Sequence, residues 1–270
     1  MLAVISSIGG LKAICQNIGL FFYLEEKNIE VNLMAGNSGG AIALAFINVF
    51  GAKEAYDILK KSPKPSIYFD FFTYFWDKLI GKKRFGFLKI KKIRKYIKNK
   101  LADIKFKDLK IPFYTNAYNL NLNMGEIFSP KTTPNVLVSD AILASSSIPI
   151  LFDAYYFNGS YYWDGGIIEP APLTDILLTH EIDTVILVLS KEKMALDKRV
   201  NRWLEYEEIS DLINYYIFNR VYEEVKVAHK LLSNVKIIEF EVRGKIGLFE
   251  YENIDRMIER SYYKAKKLKL

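Results

Sequence analysis

The sequence predicts an α/β layered fold built on a mainly parallel sheet. Three observations predict it. Strand-like and helical segments alternate along most of the 270 residues. The run Thr184-Val185-Ile186-Leu187-Val188-Leu189 is apolar without a break, as in a strand covered on both faces. Half of the residues are hydrophobic, enough to fill a sizeable core. We expect a single domain over residues 1–270, interrupted by a basic, aromatic, cap-like insert at about 66–107.

The elements follow in order. Residues 2–7 read as a first core strand, and 14–27 as a helix carrying Leu20, Phe21, Tyr23 and Leu24. Residues 31–35 read as a second strand, followed after a glycine-rich turn by a helix to about Phe50 and another from Ala52 to Lys61. The prolines of Ser62-Pro63-Lys64-Pro65-Ser66 mark a loop. Pro112 to Tyr118 is strand-like, and Glu126-Ile127-Phe128 is placed to pair with it. Ser129 to Pro134 is another loop, and Val138 to Ser146 is helical. Strand-like residues around Tyr161 and Tyr162 lead into Trp163-Asp164-Gly165-Gly166. After the strand at 184–189, Ile209, Leu212, Ile213, Tyr216 and Ile217 fall at helical spacing. Lys236 to Val242 alternates as a late strand, and Asn253 to Leu268 closes the chain as a helix.

The turn after the second strand is Gly36-Asn37-Ser38-Gly39-Gly40. A short strand, a sharp Gly-x-Ser-x-Gly turn and a buried helix together form a nucleophile elbow, which lifts a serine hydroxyl to a helix N-terminus. Gly36 and Gly40 suit a crowded backbone there. The plainer reading is a tight turn with a capping serine. A serine needs a base at neutral pH. The chain has two histidines: His180, at the end of a helix, and His229, within an amphipathic one. Neither lies in a glycine-rich turn or beside an orienting acid. Asp164 is the better candidate, because two following glycines leave its carboxylate at a loop tip and Tyr161, Tyr162 and Trp163 can shield it. A free aspartate titrates near 3.9, and desolvation raises that value and makes it a stronger base. Ser6-Ser7-Ile8-Gly9-Gly10-Leu11-Lys12 adds a glycine turn after the first strand, whose successive N–H groups can hold an oxyanion. It lacks the P-loop spacing.

Taken together, these motifs resemble the patatin-like lipid acyl hydrolases. That family carries a glycine-rich loop, a Gly-x-Ser-x-Gly elbow and a later Asp-Gly-Gly or Asp-Gly-Ala, in this order and at about these separations. Ala144-Ser145-Ser146-Ser147-Ile148-Pro149 resembles the family's Ala-Ser-x-x-x-Pro run, and Pro112-Phe113-Tyr114 with Gly125-Glu126 its central strand pair. The resemblance implies a three-layer α/β/α fold. It also implies a histidine-free dyad of Ser38 as nucleophile and Asp164 as base, and an oxyanion hole from the amides of Gly9, Gly10 and Leu11. Two positions depart from the pattern: Ile8 and Ala13 stand where the family has its first and last loop glycines. The expected activity is hydrolysis of fatty-acyl esters, of phospholipase A or lysophospholipase type, without a cofactor. One alternative is an esterase with a Ser-His-Asp triad. Another is a lipid-binding or regulatory protein with weak or no activity.

The charge is uneven. Thirteen basic residues and one acid, Asp103, lie between Lys78 and Lys107, so this segment holds +12 while the whole chain nets +7 and the remainder is acidic. The aromatic run Tyr68 to Trp76 feeds into it. Aromatic and basic residues together suit an anionic membrane surface, with a packed cap bearing solvated lysines as the bland alternative and nucleic acid the least favoured partner. The N-terminus carries no basic n-region, no stretch is long and apolar enough to span a bilayer, and there is one cysteine, Cys15. The expectation is a cytoplasmic protein, peripheral on a membrane at most. No His/Cys/Asp/Glu cluster has metal-ligand spacing.

Overall fold

The computed structural model describes residues 1–63, 90–149, 151–190, 219–220, 222–223, 225–228, 230, 234–244, 246 and 250–270. The run from Tyr68 to Trp76, the helix after Glu208 and His229 fall outside them. In chain order the main elements are β1 (Leu2–Ser6), α1 (Gly10–Glu26), β2 (Leu33–Gly36), α2 (Gly39–Lys61), α3 (Lys91–Leu101), β3 (Phe113–Asn119) and β4 (Met124–Phe128). They continue with α4 (Val138–Ser145), β5 (Tyr155–Phe157), β6 (Ser160–Asp164), α5 (Leu173–Thr179), β7 (Thr184–Leu189), β8 (Lys236–Glu241) and α6 (Ile254–Ala265).

The strands join in one sheet in the order β5-β6-β3-β2-β1-β7-β8, and β4 pairs with β3 beyond the stretch of β3 that meets β2. The β3-β2-β1-β7-β8 portion is parallel, and the pairs β3–β4, β3–β6 and β5–β6 are antiparallel. Strand periodicity explains why the sheet has two buried faces. Val4, Met34, Ile186 and Val188 point into one core with α1, α2, α4 and α6. Their neighbours Ala3, Ile5, Leu33, Ala35, Val185 and Leu187 point into a second with α5, Val225 and Ala228. Helices on both sides of one sheet make the three-layer α/β/α arrangement. The side chains of Ile5, Leu33 and Met34 are almost wholly buried, each contributing about 1.5–3 kcal/mol.

Three boundaries differ from expectation. α1 starts at Gly10, four residues early, because Gly9 rather than a Ser, Thr, Asp or Asn caps it. The helices expected on either side of Gly51 are continuous except for a kink there, where φ is 80°, and Glu25 Oε1 accepts from Ala52 N at 2.9 Å to restart the second half. β5 pairs with β6 through a two-residue turn at Asn158 and Gly159, both with positive φ. Asn-Gly between apolar runs is the sequence signal for such a hairpin.

Candidate active site

Ser38 stands between β2 and α2 with φ 54° and ψ −125°, a strained conformation for a residue with a side chain. The surroundings that hold it are close contacts which only glycines allow. A Cβ on Gly39 would lie 2.1 Å from the carbonyl oxygen of Gly10, and one on Gly40 would lie 2.6 Å from Ser6 Oγ. The elbow and the glycine loop after β1 are therefore pressed together at Gly39 and Gly10. Ser38 N donates to Ser145 Oγ at 3.1 Å.

Asn37 ties the elbow to the rest of the site. Its Nδ2 donates to the carbonyl of Glu169 at 2.6 Å, and its Oδ1 accepts from Asn116 N at 3.1 Å. Neither bond has a sequence signal, because both partners are far along the chain. Asn116 in turn packs on Gly165, where a Cβ would lie 2.2 Å from the Asn116 carbonyl.

Asp164 ends β6, and a 3-10 turn at Gly165–Ile167 follows it. Its amide donates to Ser147 O at 2.9 Å and its Oδ1 accepts from Gly166 N at 2.8 Å. Ser38 and Asp164 are each only 4% exposed. Burial pushes the Asp164 carboxyl up from 3.8 to about 7, while the Gly166 N–H and the Ser38 hydroxyl pull it back down. The serine thus lies close enough to the carboxyl to bias its proton. Oδ2 makes no hydrogen bond of conventional geometry. Glu169, buried nearby, is also raised to about 7 by desolvation, with the Thr174 amide opposing and Asp175 adding to the rise.

At the N-terminus of α1, Gly10 has φ 51° and no side chain caps the helix. The amides of Gly10 and Leu11 fall in its first turn, where no preceding turn supplies carbonyls. Ile8 N donates to Pro170 O at 2.8 Å, which fixes the loop against the segment after Asp-Gly-Gly. The two departures from the family pattern fall at positions whose backbone suits a side chain. Neither Ile8 nor Ala13 takes a positive φ. The Ile8 side chain lies over Gly166, where a Cβ would meet it at 2.8 Å, and Ala13 is buried within α1.

Beside Ser38, Gly10 and Leu11 opens an apolar cavity of about 150 Å³, walled by α1, α2, α3 and Tyr251. α3 contributes Ile93, Tyr96 and Ile97 to the wall and exposes Lys91, Lys92 and Lys95. His180 serves elsewhere. Its Nε2 pairs with the Tyr114 hydroxyl at 2.8 Å and its Nδ1 with Thr179 Oγ1 at 2.8 Å. Tyr114 belongs to the core layer across the sheet from the cavity. Among the described residues no group of three or more His, Cys, Asp or Glu could hold a metal ion, and no helix is long and apolar enough to cross a membrane.

A three-layer α/β sheet with a strained serine elbow beside a buried aspartate defines a class of hydrolase-like folds. The model of the patatin-like phospholipase family matches residues 2–177, and the chain belongs to that family. It is 26% identical over 190 residues to the uncharacterized protein R571 of Acanthamoeba polyphaga mimivirus, covering 66% of this chain and 59% of that protein. It is 24% identical over 100 residues to the probable lipid hydrolase 463L of Invertebrate iridescent virus 6, covering 35% of this chain and 34% of that protein. The chain thus spans well under two thirds of the length of these relatives. The crystal structure of VipD from Legionella pneumophila aligns over 98% of this chain and 66% of its own, with a TM-score of 0.50 and 15% identity, a likeness of fold. Family membership supports a lipid hydrolase.

Proposed function

We propose that this chain is a serine-dependent lipid acyl hydrolase that cleaves fatty-acyl esters of phospholipids or lysophospholipids with Ser38 and Asp164 as its dyad. The observation that carries this reading is Ser38, which lines an apolar cavity and biases the proton of a buried Asp164 carboxyl raised to about 7. Asp164 takes the hydroxyl proton as Ser38 Oγ bonds to the ester carbonyl carbon. The carbonyl electron pair moves onto oxygen, where the amides of Gly9, Gly10 and Leu11 and the α1 dipole stabilise it. Collapse breaks the bond to the alcohol, which leaves with the proton from Asp164. Water then attacks the acyl-enzyme, with Asp164 again as base, and the fatty acid departs. The apolar cavity suits the acyl chain.

The test is fatty-acid release from lysophosphatidylcholine micelles and phosphatidylcholine vesicles, combined with a serine-directed phosphonate probe. Wild type is expected to release fatty acid and to take the label at Ser38, and Ser38→Ala to do neither. Release that survives in Ser38→Ala removes the nucleophile assignment. Binding to lipid without release or labelling favours a lipid-binding role.

The same reading extends to an anionic membrane surface reached through residues 66–107. α3 supports it by turning apolar residues to the cavity and Lys91, Lys92 and Lys95 to solvent. At roughly 1 kcal/mol per lysine near an anionic bilayer, replacing these three by glutamine is expected to weaken binding to phosphatidylserine vesicles by about a hundredfold. Vesicle pelleting measures it, and binding indifferent to lipid charge counts against docking.

A further inference from the structure

Arg94 stands apart from the other cations on α3. Lys91, Lys92, Lys95, Lys98 and Lys100 are exposed, whereas Arg94 is half-buried and turned inward. Its Nη2 donates to Ser147 Oγ at 3.1 Å and to the carbonyl of Asp153 at 2.5 Å. The guanidinium lies 5.2 Å over the ring of Tyr155. The Tyr155 hydroxyl donates to Asp140 Oδ1, which also accepts from Lys98 Nζ at 2.8 Å. α3 is thus pinned twice, at Lys98 and at Arg94.

Ser147 links this clamp to the site. It is fully buried; its hydroxyl donates to the Leu143 carbonyl at 2.8 Å and accepts from Arg94, and its carbonyl oxygen accepts from the amide of Asp164 at 2.9 Å. We propose that Arg94 is a positioning residue that acts through Ser147 to hold Asp164 at the distance from Ser38 that proton transfer requires. The proposal rests on the Ser38–Asp164 reading and adds a residue to it. The physical reason is leverage. One methylene separates the Asp164 carboxyl from its backbone, so a shift of the amide moves the carboxyl almost as far. A displacement near 1 Å in such an arrangement costs about a hundredfold in rate. Stability alone accounts poorly for a half-buried, inward-turned cation, because desolvation offsets much of the gain. Burial lowers the Arg94 pKa, with Asp153 and Tyr155 opposing.

The experiment measures kcat and KM of the full chain on a soluble short-chain p-nitrophenyl ester, which needs no lipid surface. The variants are Arg94→Met, Arg94→Lys, Ser147→Ala and the double Arg94→Met/Ser147→Ala. Arg94→Met is expected to lower kcat about tenfold to a hundredfold with KM within about twofold, and Arg94→Lys to recover part of the loss. Ser147→Ala is expected to lower kcat similarly, and the double variant to be no worse than the poorer single variant, since both cut the Arg94–Ser147 bond. An unchanged kcat, a loss confined to KM, or losses that multiply in the double variant overturns the proposal. Should Arg94→Met fail to fold, Ser147→Ala decides alone, and an unchanged kcat there overturns it. Failure of the dyad itself is separate, because it shows as activity retained in Asp164→Asn.

Discussion

Asp164→Asn is expected to abolish turnover and to stabilise the fold in the same step. Asparagine has the same shape and keeps an oxygen for the Gly166 N–H that Asp164 Oδ1 accepts at 2.8 Å. It has no useful proton affinity at neutral pH. Loss of a positioned general base costs about 10²–10⁴ in rate. Burial pushes the wild-type carboxyl up to about 7, so kcat should rise with pH through that value and level off above it, because the ionised form is the proposed base. The stability effect has the opposite sign. The folded value of about 7 lies above the ordinary 3.8, so between these pH values the folded chain holds a proton that the unfolded chain has lost. Stability therefore falls as pH rises through this window and is lowest above it. An asparagine carries no such penalty, and the variant's Tm should exceed that of the wild type by roughly 5 °C or more at pH 8, the gap closing towards pH 4. Glu169, also raised to about 7, keeps some of the same pH dependence in both proteins. Thermal melts and initial rates across pH 5–8 check both halves. Near-normal turnover in the variant would remove Asp164 as the base.

Gly39→Ala is the second large effect, and its sign is decided by two magnitudes. Gly39 opens α2 and has no positive φ, so alanine fits its backbone and would favour the helix by about 1 kcal/mol. Against this, the new Cβ would sit 2.1 Å from the Gly10 carbonyl oxygen and 2.8 Å from its carbon. These are main-chain atoms and cannot rotate aside. The elbow and the glycine loop must separate, which moves the proposed oxyanion amides away from the serine. Losing one such donor costs about 3–4 kcal/mol. We expect kcat to fall about a hundredfold or more and denaturant stability to drop despite the better helix former. A variant as stable and active as wild type would mean that the loop carries no oxyanion.

What the sequence disclosed follows from which signals are local. The apolar run at 184–189 is a strand because a segment covered on both faces needs no alternation, and it lies between β1 and β8 as such a segment must. The serine and the aspartate were legible because sharp turns demand glycines next to them. The sheet order was not, since nothing within Tyr161 to Asp164 says that this segment pairs antiparallel with β3. Arg94 reads as one of thirteen cations, and only the packing of α3 on Ser147 and Tyr155 sets it apart. Asn37 occupies the variable position of its motif, and its value comes from Asn116 and Glu169, both remote in the chain. The hairpin at Asn158-Gly159 carried a usable local signal.

The family match stops at residue 177, yet β1 draws hydrogen bonds on one side from β7, which begins at Thr184. On the helical side, α1 lies so close to α6 that a Cβ on Gly19 would be 2.4 Å from the carbonyl oxygen of Ile258. A fragment cut at 177 would leave the middle strand with an open edge and strip the back of α1 to water. The stretch that the family match covers and the stretch that the sheet and α1 lean on therefore have different ends.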